Sequence, residues 1–284
     1  MPSPSAANPL PADHHVHSEW SWDALGGSME RTCEQAVAIG LPSLAFTEHA
    51  DFTPSLLRPD DTVPDAWRPL VNGPVLTPPE LDLDGYLECL SRCRDRFPGL
   101  RILSGVELGE PHRHDHRVAA LLKTGGFDRV LASVHCLPVG GGSRDVSGLY
   151  RERPASAVVR DHLAETLALI DRFDDFDVLA HIDYPVRYWP ADAEPYDPLD
   201  FEDDYRAVLR ALGRAGKALE INTRVPLHPL VVRWWHQEGG QAVTFASDAH
   251  DPPSLARGFA EASAMAESCG FRGGARPTDF WRRR

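Results

Sequence analysis

Seven short apolar runs recur along the chain, and each is followed by a longer stretch with helical periodicity. The apolar runs are 12–17, 42–47, 101–107, 129–134, 177–182, 218–222 and 242–247. The helical stretches are 28–39, 79–97, 115–124, 155–172, 199–215, 227–238 and 254–269. Because both faces of each run are apolar, the runs are typical of buried parallel strands. The alternation predicts a parallel α/β fold but does not distinguish an open sheet from a closed barrel.

A titratable side chain stands at the carboxyl end of every predicted strand. The endings are Asp13-His14-His15-Val16-His17, Thr47-Glu48-His49, Gly105-Val106-Glu107, Ser133-Val134-His135, Ala180-His181-Ile182-Asp183, Glu220-Ile221-Asn222 and Ser247-Asp248-Ala249-His250. These ends should meet at one edge, where uncompensated imidazoles and carboxylates would cost free energy. Divalent cations would remove that cost. His15 and His17 are two apart on a strand and therefore point the same way, which suits two ligands of one ion.

Composition narrows the possible partners and the cellular compartment. The chain has 284 residues, and 29 basic against 42 acidic residues give a formal net charge of −13, which argues against nonspecific nucleic-acid binding. No apolar run approaches the roughly 18 residues of a membrane span, and the first residues do not resemble a signal peptide. The five scattered cysteines are typical of reduced thiols. We therefore expect a cytoplasmic protein without membrane or nucleic-acid partners; its oligomeric state stays open.

Domain organisation follows from where the periodic pattern begins. Residues 1–11 are mostly Pro, Ser and Ala, which predicts a flexible tail, and 12–284 are predicted to form a single domain. Three long irregular segments, 50–78, 136–154 and 184–198, follow the ends of predicted strands. Active sites of α/β folds lie on loops at this end of the strands. No glycine-rich nucleotide-binding motif opens any predicted helix.

Taken in order, the strand-end motifs resemble those of the polymerase-and-histidinol-phosphatase (PHP) superfamily. The resemblance covers residues 13–250, nearly the whole chain. It implies a distorted (βα)7 barrel that carries a metal cluster, usually of three ions, at the C-terminal mouth of the strands. The same resemblance implies which side chains hold the ions.

Nine metal ligands follow from the resemblance, in three sets. The sets are His15, His17, Glu107 and Asp248; Glu107 again, with His135 and His181; and Asp23, His49 and His250. Many relatives carry histidine at the position of Asp23, so the occupancy of the third site is open; Asp23 is either an oxygen ligand or an ordinary loop residue. We expect two or three divalent transition metals, with zinc, iron and manganese all compatible with these ligands.

Further polar residues of the motifs have supporting or undecided roles. Asp13, Glu48 and Glu220 are expected to orient ligand histidines. Three tryptophans near the mouth either wall a pocket or pack: Trp20, Trp22 and Trp189. A patch of three histidines past the third strand is either a solvated loop or a substrate contact: His112, His114 and His116. The final arginines, 282–284, are expected to form a solvated tail.

Such a cluster suits hydrolysis of phosphate esters. Metals lower the pKa of a shared water and neutralise the phosphoryl oxygens, so hydroxide held through Glu107, Asp248 and His135 is expected to attack phosphorus. Arg187 and Arg224 follow the fifth and sixth strand motifs and are expected to bind the phosphate, since guanidinium groups match its geometry. An ordinary surface role is the alternative for either arginine.

The segments 46–51, 105–108 and 127–135 look most like the stand-alone histidinol-phosphatase branch of the superfamily. The implied reaction is L-histidinol phosphate plus water to L-histidinol plus phosphate, on a small phosphorylated substrate. Two alternatives remain open: a PHP-type phosphoesterase acting on nucleotides or oligonucleotide ends, and a noncatalytic metal-binding protein.

Overall fold

Each of the seven predicted strands is present and pairs in parallel with its neighbours. The computed structural model describes residues 10–276 and 278–284. The strands are β1 (Asp13–Val16), β2 (Ser43–Asp51), β3 (Arg101–Gly109), β4 (Arg129–Ser133), β5 (Val178–Leu179), β6 (Ala218–Asn222) and β7 (Ala242–Ala246). Pairing follows chain order from β1 to β7, and Asp13 of β1 pairs with Phe245 of β7. This last pairing closes the barrel, so the predicted (βα)7 barrel is confirmed.

A helix follows each strand on the outside of the barrel. The helices are α1 (Met29–Ala38), α2 (Leu83–Arg96), α3 (Asp115–Gly125), α4 (Ala155–Arg172), α5 (Glu202–Arg214), α6 (Pro229–Gln237) and α7 (Phe259–Ser268). Two of them begin four or five residues later than predicted. Helix α2 begins at Leu83 because the Asp82 carboxylate accepts a hydrogen bond from Gly85 N at 3.0 Å and caps it there. The proline pair before α7 forms only the 3-10 turn Pro252–Ser254.

Two of the long irregular segments fold against each other at the mouth of the barrel. Together they form a small sheet of five short strands: Ser55–Leu56, Val71–Asn72, Val75–Leu76, Cys136–Val139 and Gly142–Asp145. Gly140 and Gly141 form the turn of a hairpin between two of these strands, and Gly141 adopts φ 91° there. Short helical turns complete the mouth: Asp65–Leu70, Pro111–Arg113, Val146–Leu149, Tyr184–Tyr188 and Pro198–Phe201.

The C-terminal residues belong to the sheet, which corrects the expectation of a solvated tail. Trp281–Arg283 pairs antiparallel with β7 and with the short strand Phe271–Arg272. The Trp281 ring packs edge-on against Phe245, with ring centroids 4.8 Å apart, and this apolar contact holds the segment in place. Residues 1–9 of the predicted N-terminal tail lie outside the described residues, whereas Leu10 packs against the core.

Close packing of β2 and β3 aligns two of the site-bearing strands. Tyr86 of α2 is fully buried; its hydroxyl donates to Phe46 O and accepts from Gly105 N, each at 2.9 Å. A Cβ at Gly105 would lie 2.6 Å from Thr47 Cγ2, so only glycine allows the two strands to approach this closely. All five cysteines are buried and free. No helix in the described part of the chain is long and apolar enough to cross a membrane.

Candidate metal centre

The nine predicted ligands converge at the carboxyl end of the barrel. A cavity of about 630 Å³ opens there between the strand ends and the small sheet. Seven of the nine line the cavity: Asp23, His49, Glu107, His135, His181, Asp248 and His250. His15 and His17 lie beneath them and are fully buried. Six of the seven strand ends supply eight of the nine side chains, because parallel strands present their carboxyl ends at one edge.

The first set surrounds a single point. His15 Nε2 and His17 Nε2 are 3.0 Å apart, and His15 Nε2 lies 3.1 Å from Glu107 Oε2. Asp248 Oδ1 lies 3.4 Å from His17 Nε2. Asp248 has φ 51°, a left-handed conformation uncommon for aspartate, and such strain persists where the surrounding structure enforces it.

The second set faces the other oxygen of the same carboxylate. Glu107 Oε1 lies 2.8 Å from His181 Nε2 and 3.3 Å from His135 Nε2. Glu107 is fully buried, and its two oxygens are divided between the two sets. A bridging carboxylate between neighbouring ions requires this division.

Asp23 lies between the two histidines of the third set. Its Oδ2 is 3.1 Å from His250 Nε2, and its Oδ1 is 3.5 Å from His49 Nε2. The stacked rings of His17 and His49, with centroids 4.2 Å apart, join this set to the first. Asp23 therefore lies between the two imidazoles with which the sequence analysis grouped it.

Burial and close neighbours shift the pKa values of the cluster's carboxylates and imidazoles. Burial raises carboxyl pKa values, yet the surrounding histidines His15, His49 and His135 hold the pKa of Glu107 well below its usual range. Burial, together with the neighbouring His49 and His250, holds the pKa of His17 well below its usual range, so this imidazole is neutral and keeps a free lone pair. A neutral imidazole beside an ionised carboxylate is the form that binds a metal.

The donor set fits divalent metal ions. His15 Nε2 and His17 Nε2 lie 3.0 Å apart and both face Glu107 Oε2, so two imidazole nitrogens and a carboxylate oxygen surround one point. Four buried atoms of the ligand side chains make no hydrogen bond within the described part of the chain: Asp23 Oδ1, His49 Nδ1, His181 Nδ1 and Asp248 Oδ2, the last of which forms an ion pair with Arg187. Mixed imidazole and carboxylate donors suit zinc, iron and manganese.

Two buried carboxylates orient His15 and His17, one by direct contact and one through a serine. Glu220 Oε2 lies 2.7 Å from His15 Nδ1, while its Oε1 accepts a hydrogen bond from His181 N at 3.0 Å. Glu48 accepts from Ser21 Oγ at 2.6 Å, and Ser21 Oγ lies 2.9 Å from His17 Nδ1. Such partners fix the tautomer and orientation of ligand histidines, as the sequence predicted for both glutamates.

Asp13 has a different role from the one predicted. Its Oδ1 accepts hydrogen bonds from Ser247 N at 3.0 Å and His15 N at 3.3 Å, and its Oδ2 accepts from Ala256 N at 3.2 Å. It contacts backbone amides and no imidazole, because its side chain points toward β7. Asp13 thus fastens the closing strand pair rather than a metal ligand.

Asp51 and Glu110 border the cluster and were missed by the sequence analysis. Asp51 Oδ2 accepts from Trp22 Nε1 at 2.9 Å, and its Oδ1 lies 3.4 Å from His135 Nδ1. Glu110 Oε1 accepts from His135 N at 2.6 Å and orients that backbone. A signal existed for Asp51, two positions after His49 and hence on the same side of the extended β2. Glu110 follows the end of β3, and no spacing indicated it.

Both predicted arginines line the cavity, in different environments. Arg187 Nη2 lies 2.5 Å from Asp248 Oδ2, and its side chain is only 9% exposed. Arg224 Nη1 lies 3.2 Å from His250 Nδ1, and its side chain is 46% exposed. Arg187 is therefore fixed beside the first set, whereas Arg224 stands at the rim.

The structure distinguishes among the tryptophans and histidines whose roles the sequence left open. Of the tryptophans, Trp22 lines the cavity with Trp67, their rings 4.9 Å apart, while Trp20 and Trp189 pack against the core. The histidine patch lies outside the cavity: His112 Nε2 contacts Glu165 Oε1 at 2.5 Å, and His114 Nε2 contacts Thr53 Oγ1 at 2.8 Å.

Comparison with protein families gives one match. The PHP domain family matches residues 13–224, the part of the chain that carries β1 to β6 and seven of the nine predicted ligands. The remaining two, Asp248 and His250, follow β7 beyond the matched range.

Named relatives span the chain at low identity. A histidinol-phosphatase of Lactococcus lactis is 26% identical over 84% of this chain and 83% of its own length. A probable histidinol-phosphatase of Clostridium acetobutylicum is 27% identical over 92% and 94%. The structure of the Lactococcus lactis histidinol phosphate phosphatase, described as a complex with zinc, L-histidinol and phosphate, superposes with a TM-score of 0.77 at 24% identity, over 93% of this chain and 95% of that chain.

Proposed function

This chain belongs to the PHP domain family and is a metal-dependent phosphatase, and from that premise we propose that it hydrolyses L-histidinol phosphate to L-histidinol and phosphate. Two relatives that match over 83% or more of both chains are named a histidinol-phosphatase and a probable histidinol-phosphatase, which supports this proposal. The observation that carries the proposal is the division of Glu107 between two ligand sets at the floor of a cavity.

We also propose three divalent ions, one for each ligand set, with Asp23 as a true ligand of the third. The 3.1 Å contact of Asp23 with His250 and its proximity to His49 support this number. When bound, divalent ions at such a site neutralise phosphoryl oxygens and lower the pKa of water. Zinc, iron and manganese all suit these donors.

The chain's own residues position the substrate around that cluster. Arg187 lines the cavity and pairs with Asp248 through one guanidinium nitrogen, so its remaining N–H groups are left to donate to a phosphate in the cavity. Arg224, at the rim, adds a second cation near His250 and the other oxygen of Asp248. Asp248, Glu107 and His135 hold the reacting end of the cavity in a fixed geometry. The small sheet covers this end and limits access of bulk water.

The test is initial-rate phosphate release from L-histidinol phosphate, with mononucleotides assayed beside it, in buffers supplemented with manganese or with zinc. We expect metal-dependent release from L-histidinol phosphate and little from nucleotides. A matched control is Asp251→Asn, a neighbouring acid whose carboxylate caps the turn at Ser254 and lies outside the ligand sets.

Two other results of this assay would each replace the proposed activity with a different function. Turnover of nucleotides without turnover of L-histidinol phosphate would assign the cavity to a nucleotide phosphoesterase. No release from any ester by metal-loaded protein would indicate a noncatalytic metal-binding protein.

A further inference from the structure

A carboxylate and two phenol groups line the cavity beside the second ligand set, and none of them is a proposed ligand. Tyr188 OH donates to Tyr184 OH at 3.2 Å, and Tyr184 OH donates to Asp145 Oδ2 at 3.4 Å. The Tyr184 ring centroid is 5.0 Å from the rings of both His135 and His181. This group of three side chains, the Asp145–Tyr184–Tyr188 wall, therefore stands next to the reacting end of the cavity.

Asp145 has no cationic partner among the described residues. Its neighbour Arg144 pairs with Glu152, and Arg187 pairs with Asp248. One oxygen of Asp145 accepts from Ser147 N at 2.8 Å and caps the short helix Val146–Leu149. Its other oxygen has only the long contact with Tyr184. A carboxylate in this position presents an uncompensated negative charge to whatever occupies the cavity.

Positive charge lies directly beside this wall in the cavity. Arg187 and Arg224 stand there with the proposed metal sites, and the Arg187 guanidinium carbon lies 5.1 Å from the Tyr184 ring centroid. The phosphate end and the anionic wall are thus separated by about one tyrosine ring. A substrate with a phosphate and a cation a few bonds apart matches both. In L-histidinol phosphate, the ammonium nitrogen is three bonds from the ester oxygen.

We propose that the Asp145–Tyr184–Tyr188 wall binds the ammonium group of the substrate and makes the enzyme selective for phosphate monoesters of amino alcohols. This inference rests on the proposed function and adds the residues that recognise the organic part. An ammonium group carries three donors, and the wall offers a carboxylate oxygen and two hydroxyl oxygens as acceptors. A hydrogen bond between two charged groups is about twice as strong as a neutral one. A nucleotide places no cation there, and its additional phosphates would be repelled.

The experiment is a substrate-by-variant comparison with Asp145→Asn. Asparagine keeps the cap of the short helix but removes the charge. L-histidinol phosphate is compared with its des-amino analogue, 3-(imidazol-4-yl)propyl phosphate, and the measured quantity is the ratio of their kcat/KM values. We expect the variant to lower this ratio about ten- to a hundredfold, mainly through KM of the amino substrate. Asp82→Asn, which alters an equivalent cap on α2 outside the cavity, should leave the ratio at its wild-type value.

An equal loss of kcat/KM on both substrates would overturn the inference, as would a fall in kcat at constant KM, which indicates proton transfer instead. If Asp145→Asn does not fold, Tyr188→Phe provides the same test with a smaller expected fall in the ratio. If the wild type leaves L-histidinol phosphate intact, the proposed function has failed. The ratio for O-phosphoethanolamine against ethyl phosphate then tests the wall by itself, and an unchanged ratio in the variant overturns it.

Discussion

The first and third ligand sets use the same kinds of side chain but are built differently. The first set, the inner ligands, consists of His15, His17, Glu107 and Asp248, all at most 4% exposed. The third set, the outer ligands, consists of Asp23, His49 and His250, with side chains 22%, 7% and 19% exposed. Glu220 contacts His15 directly and Glu48 reaches His17 through Ser21. The outer ligands contact one another and the neighbouring carboxylates of Asp51, Glu107 and Asp248. Burial and orienting partners, more than ligand chemistry, therefore distinguish a rigid site from an adaptable one.

The largest expected effect comes from an inner ligand. Asp248→Asn keeps the left-handed backbone, which asparagine tolerates, but removes the carboxylate charge that faces His17 and Arg187. We expect turnover of phosphate esters to fall at least about a thousandfold. Steady-state kinetics with metal analysis checks this, with near-ultraviolet circular dichroism as the control for folding. Activity within tenfold of wild type would remove Asp248 from the inner set.

Replacing each cavity arginine in turn compares the contribution of a buried cation with that of an exposed one. Loss of a charge-assisted contact costs about 1.5–3 kcal/mol, so Arg187→Ala should lower kcat/KM about ten- to a hundredfold, chiefly by raising KM. Arg224→Ala should cost less than about tenfold, because an exposed side chain is screened by solvent. The KM values of both variants for one phosphate monoester decide the order. A larger effect at Arg224 would mean that the rim, and not the buried side, binds phosphate.

Metal stoichiometry tests the outer ligands directly. Asp23→Ala should lose one ion of three on dialysis against a chelator while the inner ions remain, because only the outer set loses a donor. Loss of ligand or orienting contacts typically weakens metal affinity about 10–100-fold. Plasma emission analysis over a time course measures the loss, and Asp251→Asn serves as the matched acid outside the sets. Loss of all ions together would show that the two sets form one cooperative unit.

The smallest effect at neutral pH is expected for His162, a buried histidine outside all three ligand sets, and it concerns the free energy of unfolding. His162 on α4 lies 3.1 Å from Val134 O, and burial lowers its pKa to about 3. The unfolded chain, with a histidine pKa near 6.5, takes up a proton first as the pH falls. The free energy of unfolding should therefore be fully retained above about pH 6.5 and decline toward pH 3, by at most about 1.4 kcal/mol per pH unit.

Urea unfolding at pH 7 and pH 5 checks this acid lability. His162→Gln should show a smaller loss of stability between the two pH values than the wild type, whatever its stability at pH 7. An equal loss in both proteins would mean that other groups cause the acid sensitivity of the barrel.

Much of the barrel and most of the centre could be predicted from the sequence. All seven strands and seven helices were found, because strands buried on both faces leave continuous apolar runs and the helices leave amphipathic ones. Asp51 and Glu110 were missed because each borders the cluster without a motif of its own. The short strands of the small sheet carry only two to four residues, which is too little for a periodic signal.

The order of residues along the chain by itself determined the strands, the helices and the succession of titratable strand ends, since these depend on local patterning. Only the tertiary structure decided that the sheet closes, that Asp13 fastens that closure through backbone amides, and that Trp281–Arg283 joins the sheet. The tertiary structure also placed Asp23 between His49 and His250. It likewise brought Asp145 next to Tyr184. These relations join residues up to some 240 positions apart, and long-range contacts of this kind leave no periodic trace in a single sequence.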